Sequence, residues 1–108
     1  MPGHITVLTT TDSPDRAADL ARAVVRQRAA ACAQIDGPIR SVYWWQGELQ
    51  EEEEWRVLFK APADRYPALE AAIKAAHTYD TPEIIAAPIT HASTEYLAWL
   101  DTETAPRD

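Results

Sequence analysis

Cysteine is all but missing from this chain: Cys32 is the only one among 108 residues. A single thiol cannot close an internal disulfide, and the count suits a reducing cytoplasm, where the protein is expected to reside. Glycine is scarce too, with three residues against eight prolines, so the turns must lean on rigid positions. No apolar run approaches the ~20 residues that cross a bilayer, so no membrane partner is expected. The opening Met1-Pro2-Gly3-His4 has no basic region followed by an apolar one, and no secretory leader is expected. Positive charge is also short: 10 Lys and Arg stand against 17 Asp and Glu, a net charge of −7. Nucleic acids and anionic membranes are negative themselves, which excludes both as expected partners. There is no Gly-rich phosphate loop, no convincing Ser/His/Asp order and no paired metal-ligand motif, so an enzyme is not expected.

What the chain does have is a regular succession of elements. Residues 4–10 are rich in β-branched side chains and read as a strand. Ser13-Pro14 is a helix start, with Ser13 as N-cap and Pro14 at the first helical position. Leu20, Ala21, Val24 and Val25 then recur at helical spacing, predicting a helix over 14–30. Residues 32–35 form a short apolar run that Asp36-Gly37-Pro38 interrupts as a bulge or bend, and 39–45 resume as a strand. Gln46-Gly47 is a candidate hairpin turn, and 54–60 return as the partner strand. A two-residue loop would set Trp45 opposite Glu48 and Arg40 opposite Glu53, an opposite-charge pair. Asp64 can cap a second helix carrying Tyr66, Leu69, Ile73 and Ala76, which ends near His77. A fourth strand over 83–89 follows, with Pro88 placing its end at an edge or bulge. Ser93 opens a short last helix with Tyr96, Leu97, Trp99 and Leu100. Residues 1–101 are thus expected as one domain and 102–108 as a loose tail.

The order β-α-β-β-α-β plus a terminal helix predicts an α+β, ferredoxin-like antiparallel sheet with a long central hairpin and both main helices on one face. Large side chains nevertheless populate both faces of that hairpin: Tyr43, Trp44, Trp45 and Trp55, with Val42, Val57, Leu58 and Phe59. Leaving four or five of them wet would forgo on the order of 10 kcal/mol, against a total stability of ~5–15 kcal/mol for a small domain. Burial against other copies of the chain resolves this, so self-association is expected through Tyr43, Trp44, Trp45, Trp55 and Trp99.

Four co-linear segments resemble one known family. Arg28-Ala29-Ala30-Ala31-Cys32-Ala33-Gln34-Ile35 is similar to the end of its first helix. Residues 39–49, with Tyr43-Trp44-Trp45-Gln46-Gly47, resemble its tyrosine-tryptophan-glycine hairpin. His77-Thr78-Tyr79-Asp80-Thr81-Pro82-Glu83 resembles its His-Pro-Tyr-x-x-Pro-Glu motif, and Tyr96-Leu97-Ala98-Trp99 its closing Tyr-x-x-Trp. The chain resembles the CutA-type divalent-cation tolerance proteins. That resemblance implies a homotrimer of ferredoxin-like subunits, with copper or another divalent metal as ligand and a part in metal tolerance. The trimeric PII signalling proteins share the fold, so a regulatory or scaffolding trimer that needs no metal is the alternative. Thr78 stands where the motif has Pro, Ala76 where some members have a second histidine, and Leu8-Thr9-Thr10 lacks the cysteine some carry there.

His77 is the first metal candidate, because imidazole suits copper, nickel and zinc, and a helix C-terminus favours its protonated form. Cys32 is a soft ligand type but sits among alanines, as a small buried hydrophobe would. His91, after the fourth strand, is the third candidate. Tyr79, Asp80 and Glu83 bracket a turn that can line a cleft between subunits. Glu51-Glu52-Glu53-Glu54 reads as a solvated hairpin edge that discourages aggregation. No metal or other cofactor is expected to be required for folding.

Overall fold

A computed structural model describes residues 3–107. The chain runs β1 His4–Thr11, α1 Pro14–Arg26, β2 Cys32–Trp45, β3 Glu48–Pro62, a 3-10 turn Ala63–Arg65, α2 Tyr66–Ala76, β4 Ile85–Pro88 and α3 Thr94–Thr104. The sheet order is β2-β3-β1-β4, and every neighbouring pair is antiparallel. The fold is therefore the α+β arrangement that the order of elements predicts.

The start of α1 follows local chemistry. The Ser13 hydroxyl accepts the Arg16 N–H at 3.1 Å, and Pro14 occupies a position whose N–H would have had no partner. The helix stops at Arg26, four residues short of the predicted end. Arg28 turns the chain at φ 60°, which drops Ala29 and Ala30 into the core instead of extending the helix. Asp64 does not cap α2. It lies in the preceding 3-10 turn, and no side chain caps the first turn of that helix.

The core lies between the two main helices and one face of the sheet. Val7 of β1 and Val57, Phe59 and Ala61 of β3 point into it, meeting Ala17, Leu20 and Val24 of α1 and Leu69, Ala72 and Ile73 of α2. The alternation of a strand sends Leu58 and Lys60 to the opposite face. There α3 provides partial cover: Lys60 Nζ stands 5.8 Å from the centre of the Tyr96 ring, and Leu100 is fully buried. The last helix runs three residues into the segment expected to be loose. Thr104 is buried, and Glu103 forms an ion pair with Arg28 at 3.0 Å.

The hairpin is one continuous ribbon rather than two pieces. Gln46 and Gly47 both have positive φ, 50° and 81°, as a two-residue turn matched to the strand twist requires. Trp45 faces Glu48 and Arg40 faces Glu53, the register counted from the sequence, though the Arg40 guanidinium reaches Glu51, at 3.5 Å. The interruption at Asp36 to Ile39 is a bulge within β2, with Gly37 and Pro38 opposite Trp55. Gly37 has φ 151°, and a Cβ there would sit 2.6 Å from the Trp55 ring. β4 is shorter than predicted, because Glu83 and Ile84 lie outside the ladder, and it forms an edge where Pro88 loses nothing.

Two substitutions check this packing by equilibrium denaturation. Phe59→Ala empties a fully buried site and is expected to cost ~3–5 kcal/mol. Gly37→Ala forces the bulge or the Trp55 ring to move and is expected to cost on the order of 1–3 kcal/mol.

Candidate functional site

β1 has 8 residues, whereas β2 and β3 have 14 and 15. β1 pairs with β3 only as far as Trp55, so the hairpin from Glu54 to the turn projects without a third strand beside it. One face of this projection carries Tyr43 opposite Gln50, Ser41 opposite Glu52 and Ile39 opposite Glu54. The segment 78–83, after α2, lies across from that face. Between them is a cleft of about 680 Å³, walled by Tyr43, Trp45, Glu52 and Glu54 on the hairpin side and Tyr79, Asp80 and Glu83 on the other.

His77 sets the position of the second wall. Its N–H closes α2 on the Ile73 carbonyl at 2.9 Å, and its backbone then leaves the helix. The ring Nε2 donates to the Thr10 carbonyl at 2.8 Å, and Nδ1 accepts the Tyr79 N–H at 3.1 Å. A carbonyl can only accept and a backbone N–H can only donate, so the two partners assign Nε2 as the donor and Nδ1 as the acceptor. Both nitrogens are committed to backbone partners. The Tyr79 ring rests against the imidazole with centroids 4.7 Å apart, and its hydroxyl donates to Glu54 Oε2 at 2.8 Å. Burial, together with the hydrogen bond to the Glu54 carboxylate and the charge of that group, holds the Tyr79 phenol well above its ordinary value. Tyr79 is therefore a permanent donor. Across the cleft, the Tyr43 hydroxyl donates to Glu52 Oε2 at 3.0 Å.

The three metal candidates are not gathered within the chain. His77 binds the Thr10 carbonyl, whereas Cys32 lies opposite Lys60, whose partner in β1 is Thr6. Four residues of strand separate those levels by ~13 Å before any sideways distance is counted. Cys32 Sγ is 3.5 Å from the Tyr96 hydroxyl. That hydrogen bond, with burial, pushes the Tyr96 phenol up to about 12. His91 is exposed and follows Ile89, whose N–H donates to the carbonyl of His4 at the far end of β1. Among the described residues no three of His, Cys, Asp and Glu are grouped to hold a metal ion.

Tyr79, Asp80 and Glu83, expected at a cleft between subunits, line a cleft within the single chain, beside the hairpin. Glu52 and Glu54 were hidden in a run read as a solvated edge. The signal that finds them is the hairpin register, which puts both on the face of Tyr43. Of the residues expected at an interface, Tyr43, Trp44, Trp45 and Trp99 are exposed, while Trp55 packs half-buried against the main core.

Comparison with known proteins agrees with this geometry. The sequence pattern of the family described as CutA1 divalent ion tolerance protein matches residues 5–103. A Divalent-cation tolerance protein CutA from Thermus thermophilus is 42% identical over 98 residues, spanning 91% of this chain and 95% of that protein. The crystal structure of CutA1 from Oryza sativa superposes with a TM-score of 0.91 at 36% identity, covering 96% of this chain and 95% of its own. The CutA of Archaeoglobus fulgidus, described as a periplasmic divalent cation tolerance protein, gives 0.90 at 30% identity over 94% of this chain and 99% of its own.

Tyr96 yields a pH test. Its folded value of about 12 lies above the ordinary 10.0, so its contribution is complete below pH 10 and is lost as pH rises through 12. Denaturation midpoints should fall across that window, and Tyr96→Phe should flatten the fall. Tyr79→Phe leaves the buried Glu54 carboxylate without its donor, and the same measurement should show a loss of ~1–3 kcal/mol.

Proposed function

The chain belongs to the CutA1 divalent ion tolerance family, and we propose that it acts in the cytoplasm as a homotrimer that binds copper or a related divalent metal ion and contributes to metal response. The observation that carries the assembly is the projecting hairpin. Val42, Trp44 and Leu49 share one of its faces and are 56%, 72% and 58% exposed in a single chain. Burying such side chains stabilises by ~1.5–3 kcal/mol each. Trp99 adds a further exposed aromatic on α3.

Among the described residues of one chain no three such ligands are grouped, so in this reading a bound ion takes ligands from more than one subunit. His91 is exposed, and His77 becomes a ligand only by releasing one of its two hydrogen bonds. No metal is proposed to be required for folding, a reading that the apolar core between helices and sheet supports. The family is named for tolerance of divalent cations, not for a reaction, and no catalytic step is proposed.

Light scattering at micromolar concentration is expected to give three times the chain mass of 12.0 kDa, and Trp44→Ala should weaken the assembly. A folded particle of single-chain mass would overturn the trimer. Calorimetric titration with Cu²⁺ should show stoichiometric binding that His77→Ala or Cys32→Ser reduces. Binding no tighter than millimolar sinks the metal half of the reading and leaves the assembly standing.

A further inference from the structure

We draw no further inference here: the strongest candidate, the apolar groove across β1, β3 and β2 lined by Leu8, Leu58 and Ile35 beside the Asp36–Arg56 ion pair, is an unpartnered face, and nothing in the structure shows what covers it.

Discussion

Much of this molecule follows from a mismatch in strand length. β1 ends at Thr11, opposite Trp55, while β2 and β3 continue together to the turn at Gln46-Gly47. A two-stranded ribbon without a third strand or a helix is marginal in water by itself. Its large side chains face solvent on both sides, and its backbone is paired only once. The bulge at Gly37 and Pro38 lies where that support ends, and Gly37 is required there because the Trp55 ring leaves no room for a Cβ.

The two faces of the projection meet different fates. One carries Val42, Trp44 and Leu49 with Arg40 and Glu51, and its three large apolar side chains are exposed. The other meets the segment that follows α2 and so becomes a wall of the cleft. His77 makes the second possible by joining Thr10 in the sheet to Tyr79 in the segment through the two sides of one ring. From there, Tyr79 closes a hydrogen bond onto the hairpin at Glu54. A continuous path of hydrogen bonds thus runs from the end of β1 to the overhanging ribbon, and the positions of the acidic groups depend on it.

The architecture was largely readable from residue pattern. The Ser13 cap, the Pro14 start, the end of α2 at His77 and the two-residue hairpin turn all rest on local chemistry, and each stands where expected. The errors lie where local chemistry gave way to packing. α1 continues by periodicity to Ala30, yet the core takes Ala29 and Ala30 only after the chain turns at Arg28. The tail looks polar and loose, but Arg28 and Glu103 pair across 75 residues of sequence and hold α3 one turn longer. Of the candidate site, Tyr79, Asp80 and Glu83 were visible as a motif, whereas Glu52 and Glu54 looked like any solvated acidic run.

By itself, the sequence determined the order of elements, the hairpin register and the family, because spacing, caps and turn residues act over a few positions and need no partner elsewhere. Only the tertiary structure decided that Glu54 is buried and Glu53 is not, that His77 spends both nitrogens on the backbone, and that Cys32 and His77 lie at different levels of the sheet. Those outcomes depend on which strand runs out first and on what the segment after α2 packs against. Both are set by contacts between residues far apart in the chain, and no local pattern records them.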